Sequence, residues 1–397
     1  MTWTVIAGDV RDADFGGGFD AVLCDPPYEL GFMGKRWDAS GVAFDSRVWA
    51  RVLAACKPGA PLMAFGGTRT YHRMACAIED AGFEIRDCLA WLYGSGFPKS
   101  LDVSKAIDRA AGAEREVVGS KRGVTSAETG RGMPGKATGV KQIAIDVPIT
   151  APATDAARAW QGYGTALKPA FEPCVLARVP LEGTVAANVT AHGCGALAID
   201  AGRIGRDCDD VSGWSITGSN ASENFAMSGP NYARDPAPDA SGRWPANVLL
   251  DEQAASMLDA QTDETPSRFF YTSKASRDDR DHGLLRLPST AAERTGRTEG
   301  SAGITAYAGA TGPARNPHPT VKPTDLTEYL ARLILPPRRE TPRRLLVPFA
   351  GSGSEMIGAL RAGWDEVVGV ELVYFDLARE RLTSADTAHQ RNLFGDT

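Results

Sequence analysis

Short apolar runs alternate with amphipathic segments near both ends of the chain, and this alternation constrains the fold more than any other feature. Runs that end in Gly or Asp predict buried strands, and stretches with apolar residues every three or four positions predict helices. Strands that alternate with helices form parallel sheets, because parallel strands need a crossover connection. Near the amino end the predicted strands are 5–7, 21–24, 61–65 and 85–92, and the predicted helices are 45–57 and 69–81.

The alternation is interrupted between residues 99 and 316. Gly, Ser, Thr, Pro and Ala dominate 119–140, 209–245 and 288–316, a composition typical of loops or mobile segments. Three shorter stretches within this region predict strands: 164–173 leads into a strand at 174–177, and 243–250 and 268–271 each lead to a further strand. The region therefore interrupts an α/β pattern without replacing it by another regular one.

The α/β pattern resumes after residue 316. The predicted elements are helices at 324–335 (with Thr324 in the cap position), 355–362 and 373–384, and strands at 344–347 and 367–371. We therefore predict one doubly wound, mostly parallel α/β sheet that receives strands from both ends of the chain. The boundaries divide the chain into 1–98, 99–316 and 317–397.

Composition limits the classes of function. The 397 residues suit two domains, or one large domain with an insertion. The net charge of −6 means that a nucleic-acid partner would need a local basic face. Residues 99–141 carry nine Lys or Arg against five Asp or Glu, an excess of four that is typical either of a phosphate-contacting surface or of a solvated linker.

The same composition bears on location and metal binding. No apolar run reaches the roughly 18 residues of a membrane span, and the first residues predict no secretory leader. Seven cysteines without Cys-x-x-Cys spacing, and only five histidines, do not suggest a metal site. Unpaired thiols of this kind are typical of a reducing cytoplasm, which is the predicted location.

Asp25, Pro26, Pro27 and Tyr28 follow the predicted strand 21–24. The two prolines lack N–H donors and hold the backbone extended, so carbonyl groups are left outside the ladder. The stretch therefore offers a carboxylate, free carbonyls and an aromatic ring at the carboxyl edge of a sheet, where α/β proteins bind ligands. This set of groups suits an exocyclic amine on a flat ring.

A second ligand-binding pattern follows the predicted strand 344–347. Phe349, Gly351, Ser352 and Gly353 form a glycine loop before a helix, where the backbone can approach a ligand. The loop has neither the three-glycine dinucleotide pattern nor the Gly-Lys-Ser/Thr of triphosphate binding. Glu371 ends the next strand, where a carboxylate can hold ribose hydroxyls. A nucleoside with a carboxylate-bearing tail fits this pattern, and S-adenosylmethionine is such a ligand.

Together these motifs resemble the DNA amino-methyltransferases (adenine-N6 or cytosine-N4) of the β subgroup, in which the catalytic motif precedes the cofactor motif. The resemblance is strongest to phage and prophage members, and it covers both α/β portions. The matching segments are Gly8-Asp9, Asp25 to Tyr28, 91–100, 167–173, His318 to Pro323, Phe349 to Gly353 and Glu371.

The resemblance implies the fold of class I S-adenosylmethionine-dependent methyltransferases, circularly permuted. Residues 1–98 would be the catalytic half, 99–316 an inserted target-recognition region with mobile loops, and 317–397 the cofactor-binding half. The implied activity is site-specific methylation of adenine N6 in double-stranded DNA after base flipping. A companion restriction enzyme and a homodimer remain open.

Candidate site residues follow from the motifs and the resemblance. The catalytic set is Asp25, Pro26, Pro27 and Tyr28, with no metal. The implied contacts to S-adenosylmethionine are Asp9, Asp25, Thr320, Lys322, Phe349, Gly351, Ser352, Gly353 and Glu371. The candidate contacts to the DNA target are Lys35, Arg36, Trp37 and Lys99. For Lys322 we expect a contact to the cofactor tail or a helix-start role, and not a general base.

Several alternatives stay open at this point. Cytosine-N4 methylation needs the same geometry, although the family usually has Ser in place of Asp25 for cytosine. A glutamine methyltransferase normally has Asn in place of Asp25, so Asp25 argues against that activity. An RNA methyltransferase is disfavoured, because no RNA-binding module is recognisable. A non-catalytic DNA-binding protein on the same scaffold would have degraded motifs, whereas those of this chain are intact.

Overall fold

The computed structural model describes residues 1–31, 36–96, 98, 100–128, 140–205, 242–263, 265–273, 281, 283–284, 315–318 and 321–394. For residues 36, 123–128, 140–145 and 387–394 it describes the backbone alone. The strands are β1 (Thr2–Ala7), β2 (Ala21–Cys24), β3 (Pro61–Phe65), β4 (Glu84–Leu92), β5 (Val117–Glu128), β6 (Val140–Thr150), β7 (Phe171–Arg178), β8 (Val248–Asp251), β9 (Tyr271–Ser273), β10 (Arg344–Val347) and β11 (Glu366–Glu371).

Helices connect and cover these strands. They are α1 (Ser46–Ala55), α2 (Tyr71–Asp80), α3 (Val103–Ala110), α4 (Asp155–Ala159), α5 (Val185–His192), α6 (Glu252–Asp259), α7 (Thr324–Leu333), α8 (Ser354–Ala362) and α9 (Phe375–Phe394). Short 3-10 turns lie at 36–39, 42–44, 200–202 and 266–269. Within the described ranges, none of the helices is both long and apolar enough to cross a bilayer.

A nine-stranded sheet forms the centre of the molecule, in the order β1-β11-β10-β2-β3-β7-β4-β8-β9. Strand β7 runs antiparallel to β3 and β4, and every other neighbouring pair is parallel. Strands β10 and β11, from the carboxyl end of the chain, lie between β1 and β2. The predicted sheet with strands from both chain ends is therefore confirmed.

The two faces of the sheet carry separate hydrophobic clusters. Val22 and Cys24 of β2 pack on the face that is covered by α1, which contributes the fully buried Trp49. Ala21 and Leu23 belong to the opposite cluster, with residues of α7 and α8. Alternate side chains of a strand point to opposite faces, so an uninterrupted apolar strand needs helices on both sides. The fold class is thus the predicted one, a doubly wound and mostly parallel α/β sheet.

The middle of the chain differs from the sequence prediction at the strands that flank residues 129–139. Residues 117–128 and 140–150 pair as an antiparallel hairpin, although part of this stretch was predicted to be loop. Ile143, Ile145, Val147 and Ile149 show the alternation of a strand, which the small and polar residues around 119–140 obscured. Residues 268–271 lead into a strand, as predicted: Pro266 starts a 3-10 turn, and β9 begins at Tyr271.

Two smaller observations concern the predicted boundaries. Pro323, and not Thr324, occupies the position before the first residue of α7. The predicted division at 98/99 and 316/317 stays a prediction, but the central sheet crosses it, since β7, β8 and β9 all come from 171–273. The interrupted region therefore contributes to the α/β sheet itself.

Candidate active site

A cavity of about 1150 Å³ opens at the carboxyl edge of the sheet. It is lined by the segments that follow β1, β2, β10 and β11, and by the segment that leads into β7. Parallel strands present their carboxyl ends at one edge, which is why these segments meet. The cavity wall includes residues 8–11, 25–28, 165–172, 348–349, Gly351 and 370–374.

Asp25 lies in this wall directly after β2. Its Oδ2 accepts a hydrogen bond from Nζ of Lys322 at 2.8 Å, and only 11% of its side chain is exposed. Its Oδ1 is buried and has no hydrogen-bond partner among the described residues. A buried carboxylate oxygen without a donor is unusual in a native structure. One oxygen of Asp25 is thus fixed, and the other is available to a ligand.

Tyr28 is held by its hydroxyl group. That hydroxyl donates to Oε2 of Glu172 at 3.0 Å and accepts from Nζ of Lys322 at 2.9 Å. The backbone carbonyl of Tyr28 accepts a further bond from Thr70 at 2.7 Å. Burial raises the pKa of Tyr28 well above its usual value, and the charges of Asp25 and Glu172 raise it further. The phenol therefore stays protonated.

Lys322 is almost fully buried and joins the two carboxylates. Its Nζ lies 2.8 Å from Asp25 and 3.1 Å from Glu172. Burial alone would lower the pKa of Lys322, but the charges of Asp25 and Glu172 outweigh burial and raise the pKa above its usual value. Its ammonium group points at the residues after β2, a placement that differs from the expected role at the helix start.

Glu355 is a second buried carboxyl group near Asp25, in the first turn of α8. Burial raises its pKa to about 7, and the charge of Asp25 raises it as well, whereas Lys322 and Arg381 oppose the shift. At neutral pH this group is therefore partly protonated. The sequence did not single it out, because an acidic residue in the first turn of a helix is common for reasons of the helix dipole.

Glu371 ends β11 at the far side of the cavity. Its Oε2 accepts from the backbone N–H of Gly351 at 2.7 Å, and its Oε1 accepts from Val373 and Tyr374 at 2.8 Å each. Burial raises the pKa of Glu371, and these backbone N–H groups oppose the shift. The carboxylate is therefore preset in one orientation and ties the glycine loop to the end of β11.

The glycine loop has two residues in the left-handed region, Gly351 at φ 53° and Gly353 at φ 85°. A Cβ atom on Gly351 would lie 3.2 Å from Nε2 of His318, so a side chain there would crowd the histidine. The carbonyl and the hydroxyl of Ser352 both accept from Arg381 of α9, at 2.7 and 2.9 Å. Gly351 thus faces the cavity, while the side chain of Ser352 is bound on the inner side of the loop.

Three rings meet beside this loop. The rings of Trp37 and His318 are stacked with centroids 6.2 Å apart, and Tyr374 meets the ring of His318 at 4.7 Å. All three side chains line the cavity. Trp37, a candidate contact to the DNA target, therefore lies beside the candidate cofactor residues.

The structure brings most of the remaining candidates to the same cavity. Pro26, Pro27, Asp9 and Phe349 line it. The carboxylate of Asp9 is paired with the guanidinium of Arg11, whose charge and hydrogen bonds outweigh partial burial and lower the pKa of Asp9. Thr320, Lys35, Lys99 and the side chain of Arg36 lie outside the described residues.

Sequence reasoning missed Glu172, Glu355 and Arg381. Each acts through a partner that is distant in the chain, such as the Tyr28–Glu172 bond across 144 positions. Glu172 lies within the segment 167–173 that carries part of the resemblance, which was the available signal. The rim of the cavity near this segment bears Leu167, which is 92% exposed.

No protein-family model matches the sequence, and no curated protein matches it significantly. Among solved structures, the chain is similar to the M1.HpyAVI–SAM complex, with 14% sequence identity and a TM-score of 0.38 over 96% of this chain and 99% of that chain. TTHA0409 from Thermus thermophilus, complexed with S-adenosyl-L-methionine, is 14% identical with a TM-score of 0.39, over 97% and 94%. PvuII DNA methyltransferase (cytosine-N4-specific) is 11% identical with a TM-score of 0.43, over 100% and 94%.

Proposed function

We propose that this protein transfers a methyl group from S-adenosylmethionine to N6 of an adenine flipped out of double-stranded DNA. The observation that carries the proposal is the difference between the two carboxylate oxygens of Asp25. Lys322 holds Oδ2, and Oδ1 is buried at the cavity wall without a partner among the described residues. A group that donates a hydrogen is the ligand that such an oxygen requires.

The chemistry needs an acceptor at this place. The lone pair of adenine N6 is delocalised into the ring, so the amine is a poor nucleophile. Asp25 and the carbonyl of Pro26 would accept its two hydrogens and draw the nitrogen toward tetrahedral geometry. They would also stabilise the positive charge that grows on the nitrogen. The proton that N6 then loses can pass to water, since Lys322 stays protonated between two carboxylates.

The glycine-loop end of the cavity fits S-adenosylmethionine. The backbone at Gly351 is open to a ligand, and Glu371 supplies a preset carboxylate beside it. When bound, the cofactor supplies an electrophilic methyl group on a positively charged sulphur. Asp9, Phe349, Gly351 and Glu371 would hold it from the described part of the chain, and Thr320 is a further candidate.

The target base would enter beside Tyr28. Flipping a base costs a few kcal/mol, and stacking on an aromatic ring returns about 1–3 kcal/mol per base. The hydroxyl of Tyr28 is bound on both sides, so its ring is already oriented.

Adenine is proposed over cytosine because the first residue of the motif is Asp25. The cytoplasmic location, the phage or prophage origin, the homodimer and the restriction partner stay predictions.

The test is incorporation of labelled methyl groups into unmethylated DNA, followed by nucleoside analysis. The expected product is N6-methyldeoxyadenosine, dependent on S-adenosylmethionine. Label in N4-methyldeoxycytidine would replace adenine by cytosine in the proposal, and no label in DNA from several unmethylated sources would refute it.

A further inference from the structure

We infer that Glu172 is a positioning residue of this site, which fixes Tyr28 and shares Lys322 with Asp25. Its carboxylate would set the orientation of the base-stacking ring and leave Asp25 a negative charge for the target amine. This inference rests on the proposed function and deepens it. It concerns a residue that belongs neither to the motif after β2 nor to the glycine loop.

The geometry is a closed set of three contacts. Oε2 of Glu172 accepts from the hydroxyl of Tyr28 at 3.0 Å and lies 3.1 Å from Nζ of Lys322. Nζ of Lys322 also donates to the hydroxyl oxygen of Tyr28 at 2.9 Å. Each group is therefore held by the other two, and none can rotate without breaking two contacts. A constellation bonded in this way is preorganised before a substrate arrives.

Glu172 is itself held in place by the sheet. It is the second residue of β7 and pairs with Trp91 of the neighbouring antiparallel strand β4. The side chain lines the cavity and is 23% exposed. A residue on a strand is placed more exactly than one on a loop. Tyr28 follows β2 in a segment without regular structure. Its bond to Glu172 therefore fixes the Tyr28 ring relative to the sheet.

Glu172 also changes the balance of charge around Lys322. Asp25 and Glu172 together carry two negative charges against the single positive charge of Lys322, which leaves a net charge of −1. If Lys322 were paired with Asp25 alone, that pair would be neutral. During transfer, positive charge moves onto the nitrogen of the target amine, and a negative environment stabilises it there. Because Glu172 takes up part of the positive charge of Lys322, Asp25 is not fully neutralised and keeps negative charge for the target amine.

The experiment compares Glu172→Gln with the matched control Glu84→Gln. Gln at position 172 keeps an oxygen for the hydroxyl of Tyr28 but removes the charge. Glu84 is an ion-paired glutamate on β4, bound to Arg178 of β7, and it is absent from the cavity wall. The substrate is unmethylated plasmid DNA with labelled S-adenosylmethionine. Steady-state kinetics give kcat and the KM of each substrate.

We expect Glu172→Gln to lower kcat about 10- to 100-fold, which is less than the roughly 10²–10³ for a group that contacts the reacting atoms, because Glu172 acts through Tyr28 and Lys322. The KM for S-adenosylmethionine should change much less, because the proposed cofactor residues lie at Glu371 and the glycine loop. Glu84→Gln should resemble the unsubstituted protein. In a Tyr28→Phe background, Glu172→Gln should cost less than it does alone, because loss of the charge also weakens the bond from the Tyr28 hydroxyl, and Phe has no such bond to weaken.

A readout that does not depend on activity completes the test. In protein labelled with ¹³C at the tyrosine ring, the Tyr28 signal is the one that Tyr28→Phe removes. It should shift in Glu172→Gln and stay in place in Glu84→Gln. An unchanged kcat in Glu172→Gln beside an active parent, or an unmoved Tyr28 signal, would overturn the role of Glu172. Absence of transfer by the parent protein would instead overturn the proposed function.

Discussion

Replacement of Asp25 tests the centre of the proposed mechanism. Asp25→Ala removes both carboxylate oxygens, including the buried Oδ1 that has no partner among the described residues. Lys322 is not left alone by this change, because Glu172 and Tyr28 still contact its Nζ. We therefore expect a folded protein that binds S-adenosylmethionine and has lost methyl transfer.

The magnitude follows from the two losses. Removal of one preorganised electrostatic group lowers kcat by about 10²–10³, and here the acceptor of the amine hydrogen and the nearest negative charge are lost together. We expect kcat/KM to fall at least about 10³-fold, which is about 4 kcal/mol. The free energy of unfolding should fall by only about 1–3 kcal/mol, the range for one altered buried hydrogen-bonding group.

Asp25→Asn sharpens the same test. Its side chain has nearly the shape of the aspartate but one amide NH₂ group, which donates hydrogens. Whichever way the amide turns, a donor faces either the ammonium of Lys322 or the amine of the target base. We therefore expect Asn to rescue little of the loss seen with Ala.

The assay measures initial rates of labelled methyl transfer to unmethylated DNA, with calorimetric binding of S-adenosylmethionine and thermal melting as companions. Cofactor affinity within about threefold of the parent, which is less than 1 kcal/mol, would show that the cofactor end is intact. Retention of more than a tenth of the parent kcat/KM by Asp25→Ala or Asp25→Asn would refute the assigned role.

Two further changes test other parts of the site. Because the pKa of Glu355 is raised to about 7 by burial, the folded state binds its proton more tightly than the unfolded state does. The parent should therefore lose stability as pH rises from about 4.5 to about 7, by at most on the order of 3 kcal/mol. Urea unfolding at several pH values should show that Glu355→Gln lacks this loss, and an equal pH dependence in both proteins would contradict it. Leu167 is 92% exposed at the cavity rim, where an apolar side chain suits unstacked bases. Leu167→Ala should slow methylation of duplex DNA more than of single-stranded DNA, and equal slowing on both substrates would exclude this role.

The sequence predicted the central strands with their observed ends because local chemistry determines them. Ala21–Cys24 and Pro61–Phe65 are buried along their whole length, and each is an apolar run that ends at a Pro- or Gly-containing turn. Runs of this kind are readable without tertiary information. The pairing of 117–128 with 140–150 was missed because the alternation is interrupted by small and polar residues.

The motifs of the candidate site could be predicted from the sequence, but the contacts between its side chains could not. Asp25, Tyr28, Gly351 and Glu371 each follow a strand, so a single sheet edge gathers them. The contacts of Lys322 are different, since its bond to Asp25 spans 297 positions. Whether its side chain turns toward the glycine loop or toward the residues after β2 depends on its contacts with Asp25, Tyr28 and Glu172. No local pattern encodes that choice.

The strand order explains why two motifs so distant in the chain form one site. From β10 the chain proceeds to β11 on one side, and from β2 it proceeds to β3 on the other, while β10 and β2 are hydrogen-bonded neighbours. The connections thus diverge between β2 and β10, which opens a crevice at their carboxyl ends. The glycine loop follows β10 and Asp25 follows β2, so a methyl donor on one lip and an amine on the other would meet across this crevice. The order of the motifs along the chain can therefore be permuted without moving the chemistry, provided that these two strands remain adjacent.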